Sequence, residues 1–402
     1  MSSLTRIAPV PLSGLLSALL GAACCAPAHA ELSDTIHPYV SVARSYDANL
    51  FRLPDSAPAF TGDRSDTSTQ YRAGILFERP IGRQKLSGRL EASRVTFATN
   101  DELDYNGKDG QADLEWYIGN HLSGHAGLTY AQELTSFSDF HVSERNLRVQ
   151  RRGYANGGWT FHPSWRVRAG YNEQKSTYSL PSQRFNDRTE EDGNVGLDYF
   201  VASGSLIGLQ LGRAKGRYPN HVLAGGVPVD DSYTQNEVKL NVLWVFSATS
   251  QFQMLAGHAR REHTYSNARD SSGVNGTANF NWSMLRKLRM NSSVWRRYAA
   301  VESVAVSNSM NTGALVSADW EITGKTGAQF SARSEKRDFI PIPGVTVLRD
   351  FDDRTRTVSA GLTYQPTRQI QLGVNLFNER RSGNAQTNYR THGTSFNASV
   401  QF

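Results

Sequence analysis

Tyr389–Phe402 reads YRTHGTSFNASVQF, and its end alternates strictly: Phe396, Ala398, Val400 and Phe402 share one parity, Ser395, Asn397, Ser399 and Gln401 the other. A strand has a side-chain period of two, so one face of this segment suits hydrocarbon and the other water. In a soluble protein such a strand would lie half-buried in a sandwich. Here the sequence stops on the apolar face with an aromatic residue. That ending resembles the closing strand of a bacterial outer-membrane β-barrel, a reading testable on the rest of the chain.

The same alternation recurs upstream. Val358, Ala360, Leu362 and Tyr364 precede a turn at Pro366, and Ile370, Leu372, Val374 and Leu376 follow it. Val238, Leu240, Val242, Trp244 and Phe246 oppose Glu237, Lys239 and Asn241, then turn into Phe252, Met254 and Ala256. Near the start, Tyr71, Ala73, Ile75 and Phe77 turn through Pro80-Ile81-Gly82 into Leu86, Leu90 and Ala92. From Ile36–Tyr46 to the last residue, the pattern predicts eighteen strands, with an uncertainty that admits sixteen, joined by eight short turns and nine longer loops such as Asp47–Thr67 and Arg213–Asp231. Strands are expected to begin near Gln111 and Val195 and to end near Leu211. An even strand number with short turns on one side and long loops on the other is what a transmembrane antiparallel up-and-down barrel requires, with both termini on the short-turn, periplasmic side. Aromatics beside the short turns, among them Trp159, Trp165, Tyr199, Trp244, Trp282, Trp320, Tyr364 and Phe402, fit an interfacial girdle. A soluble array of sandwiches would show linkers, and a propeller would show blade repeats; the chain has neither composition shift nor repeat.

Composition sets further bounds. Mean hydropathy is −0.48 over 402 residues. No run of about 18 apolar residues follows the first thirty, which excludes helical spans but not barrel strands. Residues 1–30 combine Arg6, an apolar stretch around Leu15–Leu20 and the small-x-small ending Ala28-His29-Ala30, the parts of a secretory signal peptide with cleavage expected after Ala30. The domains expected are therefore this segment and one barrel over 31–402. Both cysteines, Cys24 and Cys25, fall inside it, so disulfides, thiolate metal sites and Cys nucleophiles are not expected in the mature chain. Charges are scattered without a Lys/Arg tract, giving no support for nucleic-acid binding.

A barrel of this width normally encloses an aqueous lumen, so the polar parity is the candidate functional surface. It carries Arg72, Lys85, Arg89, Arg152, Arg166, Arg168, Lys239, Arg261, Arg289, Arg297, Lys325, Arg333 and Arg381, against Glu78, Glu91, Asp113, Glu115, Asp198, Glu237, Asp319 and Glu379. Basic side chains in a pore favour anions, whereas cross-strand charge pairs would hold the wall together without selecting anything. Arg72, Arg89, Arg152, Arg166, Arg168, Lys239, Arg289, Arg297 and Arg333 are the candidate substrate contacts. No nucleophile elbow, His-Glu-x-x-His, phosphate loop or calcium loop occurs, and the histidines are isolated, so no catalytic residue, metal site or cofactor is expected.

Tyr39–Leu53, and within it Tyr46-Asp47-Ala48-Asn49-Leu50-Phe51-Arg52, resembles the first strand and loop of the EpsL family of outer-membrane barrels associated with exopolysaccharide biosynthesis. Relatives commonly carry a second acidic residue where this chain has Ala48. The resemblance implies a role in exopolysaccharide secretion or assembly, with a polysaccharide and other export proteins as partners. Read from residues alone, the motif is a rim element in which Asp47 and Asn49 make a turn and Leu50 and Phe51 pack on the wall. A porin for small solutes and a non-conducting anchor of an assembly complex are the alternatives. Phe402, by resemblance to other barrels, is expected to form part of the signal read by the outer-membrane insertion machinery.

Overall fold

The computed structural model describes residues 35–60, 62–224, 227–264, 267–301, 306–341, 352–383 and 387–402; the expected signal peptide lies outside them. The strands are β1 (Ile36–Asp47), β2 (Asp66–Ile81), β3 (Gln84–Phe97), β4 (Tyr105–Ile118), β5 (Leu122–Leu134), β6 (Leu147–His162), β7 (Trp165–Tyr178), β8 (Arg188–Phe200) and β9 (Leu206–Arg217). They continue with β10 (Val222–Ala224), β11 (Val227–Val229), β12 (Tyr233–Ser247), β13 (Ser250–His263), β14 (Ser271–Leu285), β15 (Leu288–Ala300), β16 (Val306–Thr323), β17 (Thr326–Pro341), β18 (Asp353–Tyr364), β19 (Ile370–Ser382) and β20 (Tyr389–Gln401). β10 and β11 form a small hairpin in the β9–β12 loop; among the described residues the other strands make one 18-stranded sheet.

Each strand of that sheet pairs antiparallel with the next, β9 passing directly to β12. The sheet closes where β20 pairs with β1, in a register that sets Val400 beside Val40 and Ala398 beside Val42. Closure satisfies every strand edge, as a lipid environment demands. The pairing also keeps the two parities in phase around the wall: Leu197 faces Leu209, which faces Leu240, which faces Ala256. Because register preserves parity, the apolar set forms a continuous outer belt. Leu128 (67%), Ile118 (62%) and Leu209 (52%) are correspondingly exposed, an arrangement that only a hydrocarbon solvent tolerates at this extent.

The short connections gather at one end together with the first and last strand ends. Gly82 turns β2 into β3 at φ 63°, a left-handed conformation that costs glycine little. Phe402 lies there too, its N–H donating to the Pro38 carbonyl at 2.8 Å. Aromatic pairs ring this end, with centroids 5.6 Å apart for Trp159–Phe161, 5.0 Å for Trp165–Tyr199 and 6.5 Å for Trp244–Phe246. Amphipathic rings settle at a membrane interface, which accounts for their clustering.

Several strands run further toward the long loops than their apolar alternation. β4 starts at Tyr105 rather than Gln111, β8 at Arg188 rather than Val195, and β9 ends at Arg217 rather than Leu211. Strand lengths reach 16 residues in β6 and 18 in β16, whereas a tilted span of the hydrocarbon needs about 9–11. The excess protrudes beyond the belt, where water lets outward side chains be polar and the apolar signal stops.

Candidate functional site: the lumen and its constriction

The first-loop motif begins where β1 leaves the wall. Asp47 Oδ1 accepts the Asn49 N–H at 2.9 Å, forming an Asx turn, and also the Thr391 hydroxyl at 2.6 Å. Asn49, 3% exposed, locks the loop: its Oδ1 accepts the Leu53 N–H at 2.9 Å, and its Nδ2 donates to the Leu53 and Arg390 carbonyls at 2.9 and 3.2 Å. Arg52 adopts φ 55° and pairs with Asp47 at 2.8 Å and Glu379 at 3.4 Å. The turn at Asp47 and Asn49 is as expected, and the apolar residues meet the wall only at two strand ends, Phe97 of β3 and Leu134 of β5, packing otherwise among loops. Phe51 is buried in a cluster with Leu53, Leu103 and Phe137, with Leu50 packed against it. Phe51 meets the Phe137 ring at 4.9 Å and the Phe60 ring at 5.1 Å. Three loops thus share one small core: β1–β2, β3–β4 and β5–β6. Tyr46 instead points outward on the lipid parity, 6.5 Å from the His392 ring.

The β5–β6 loop carries that core across the lumen. Its base is closed by the Thr135 N–H donating to the Asn146 carbonyl at 2.9 Å, and His141 Nδ1 lies 2.9 Å from the Phe51 carbonyl. Burial pushes the His141 imidazole down, so the ring is neutral and donates there. From this loop Asp139 reaches strands that lie, around the wall, beyond β4, β3, β2, β1 and β20. Its two oxygens accept from Arg337 of β17 at 2.8 and 3.0 Å, and Oδ1 also accepts from Arg381 of β19 at 3.1 Å. Asp353, at the start of β18, sits between the same guanidiniums, 2.8 Å from Arg337, with Arg381 also paired to it. Burial alone would raise the Asp139 carboxyl, but Arg337 and Arg381 outweigh it and hold the group below the ordinary carboxylate range. Two cations and two anions make a balanced lock, and losing one member would strand a buried charge.

Beside the lock lies a cavity of about 570 Å³ lined by Arg52, Ser136, Ser138, Arg333, Glu335, Arg337, Glu379, Arg381 and Tyr389. Arg333 pairs with Glu335 at 2.9 Å, and the Trp295 indole N–H donates to the same carboxylate at 2.8 Å.

The wall, the closure and the two-faced pattern together decide the setting. The chain is a closed β-barrel of the bacterial outer membrane. A family model described as "Putative beta-barrel porin 2" matches residues 246–402, less than half of the chain. Among solved structures, Acinetobacter baumannii OccAB3 is similar at 9% identity and TM-score 0.47, covering 91% of this chain and 99% of that one. Pseudomonas aeruginosa OccK2 (OpdF), solved in complex with glucuronate, is similar at 10% and 0.47, covering 91% and 98%. Pseudomonas aeruginosa OccK9 (OpdG) is similar at 10% and 0.49, covering 92% and 98%. No curated protein sequence matches the chain.

The expected lumen residues on strands face inward but do not converge on one site, and Lys325 is not among them: it lies in the β16–β17 turn, its Nζ donating to the Pro366 carbonyl at 3.0 Å. Arg166 and Arg168 share Asp198 at 2.9 and 3.1 Å, a carboxylate fully shielded from solvent that also accepts from Asn241 at 2.9 Å. Arg89 pairs with Asp109 at 2.6 Å, Lys85 with Glu78 at 2.8 Å, and Lys239 with Glu237. Arg72 donates to Gln70 at 2.7 Å. Arg152 donates to Asn172 and lies 5.1 Å from the Tyr154 ring, and Arg297 lies 5.9 Å from the Trp295 ring. Arg289 stands opposite Asp319 in the ladder. The expected lumen set understates both signs: Asp109, Glu133, Glu190, Asp192, Glu335 and Asp353 share the inward parity, and so do Arg148, Arg188 and Arg337. The wall is near balance rather than modestly basic. Arg337 and Asp139 escaped the sequence reading because the first follows the end of its strand's apolar alternation, and the second lies in a loop with no local pattern.

Proposed function

We propose that the barrel is a diffusion channel for small polar solutes, narrowed at its loop end by the β5–β6 segment. The observation that carries this reading is Asp139 held by Arg337 and Arg381 across the lumen from its own strands. A segment so tethered narrows the lumen, and the hydroxyls, amides and paired charges around it offer passing solutes many weak contacts, which suits conduction better than retention. The matched family description, that of a porin, supports the same reading. On this reading the loop end faces outward and both termini face the periplasm.

Planar-bilayer recording tests it. The intact chain should give discrete conductance steps, and Asp139→Ala should enlarge them; a barrel that never conducts in either form would instead be an anchor.

A second reading is participation in exopolysaccharide secretion, favoured by the likeness of Tyr46–Arg52 to EpsL proteins. Asp47, Asn49, Phe51 and Arg52 all have structural work in the first loop, so the motif could serve either role. Passage of a polymer would require the shared loop core to yield. Normal surface polysaccharide in a deletion strain would remove this reading while leaving the channel reading intact.

A further inference from the structure

Beyond the apolar belt, at the loop end, the outward parity turns basic. On β18, β19 and β20 the register places Arg356 opposite Arg380 and Arg380 opposite Arg390, three guanidinium side chains in one row on the outside of the barrel. All three are exposed. Toward the belt, on the same parity, come successive rows Val358–Asn378–His392, Ala360–Leu376–Thr394 and Leu362–Val374–Phe396, in which Val358 (57%), Leu376 (56%) and Phe396 (54%) are exposed. Like charges directly opposite in a ladder repel, so such a row is unfavourable unless something anionic lies over it.

Among the described residues only one weak carboxylate contact meets the row. Among the described residues Arg356 and Arg380 have no carboxylate partner. Arg390 approaches Asp55 only at 3.6 Å, with both side chains more than 60% exposed, a geometry of little value in water. Lys336 on β17 extends the positive field toward Arg354, its register partner, but is itself paired with Asp338 and Asp352 at 2.6 and 3.0 Å.

We propose that the Arg356–Arg380–Arg390 row binds the phosphate-bearing head group of a membrane glycolipid whose acyl chains lie against Val358, Leu376 and Phe396. The row is positioned for it: it lies on the lipid-facing parity, on the loop side of the mixed row Val358–Asn378–His392 that borders the hydrocarbon belt, where head groups sit. Guanidinium forks match phosphate oxygens bidentately, and a lipid-borne phosphate is delivered at the high local concentration that a surface row of this kind needs. The proposal is independent of what the lumen conducts.

The test uses the full-length barrel in detergent and native mass spectrometry with a diphosphorylated lipid A as probe. Binding should weaken at least tenfold in the Arg356→Ala/Arg380→Ala double variant, and equally when the wild-type chain meets the same lipid without its phosphates. Arg356→Lys/Arg380→Lys should retain most of it, and heat-shifted gel mobility should show the variants folded. Unchanged binding of the dephosphorylated lipid by wild type would overturn the proposal without recourse to any variant. Displacement of the lipid by millimolar inorganic phosphate would overturn it too, marking the row as a free-anion site.

Discussion

Asp139 and Asn49 are single side chains that fix the position of whole loops. Removing the Asp139 carboxylate leaves Arg337 and Arg381 sharing Asp353 alone, and breaking a buried pair from one side typically costs about 3–5 kcal/mol. That cost falls on the pinned state, so Asp139→Ala should raise single-channel conductance and its noise without preventing barrel assembly. The sign of the pH dependence follows from the depressed carboxyl: the pinning is present throughout the range above ordinary carboxylate titration and is lost only as pH falls through the still lower folded value. Conductance should therefore be flat from pH 8 to pH 5, in bilayer recordings made with the same salt on both sides. Asn49→Ala removes three hydrogen bonds and leaves the buried Leu53 N–H without a partner, while the Leu53 carbonyl keeps Arg64 at 3.1 Å, a loss of roughly 1–3 kcal/mol for the stranded group. Faster proteolytic nicking within residues 48–65, with unaltered heat-shifted mobility of the barrel, is the expected result.

At the scale of the strand, alternation carried the wall and failed at its ends. The turn from β2 to β3, the aromatic pairs at Trp159–Phe161 and Trp244–Phe246, and the closing pair β20–β1 are all legible because hydrocarbon imposes a period of two wherever it touches the chain. Past Leu114 on β4 or Leu211 on β9 the outward side chains meet water, and Lys108 or Arg213 satisfies the fold as well as leucine would. The constriction was illegible for a different reason: Asp139 finds Arg337 across a span of the lumen, and nothing within its own loop announces the partner. The last strand keeps its full signature to the end. Deleting Phe402 should lower the amount of barrel recovered in the outer membrane, measured by membrane fractionation; wild-type recovery would show that the insertion machinery reads something else.

The molecule as a whole is close to electrically neutral on its inner wall, because most of its arginines and lysines already have carboxylates. Arg166 and Arg168 on Asp198, Arg89 on Asp109 and Arg333 on Glu335 are walls, not ladders for an ion. Reversal potentials in a salt gradient should accordingly show only weak anion preference, and a strongly anion-selective pore would require that these pairs open during conduction. The closure of β20 on β1 also has a kinetic meaning. Every other pairing in the sheet joins neighbours along the chain, but Tyr39 meets Gln401 only after nearly the whole sequence exists. Contacts of such separation carry the largest closure entropy and form late. Until that moment both β1 and β20 present unpaired edges, the state most prone to capture by other strands. A chain shortened by one strand is thus left not slightly weaker but permanently open along a seam.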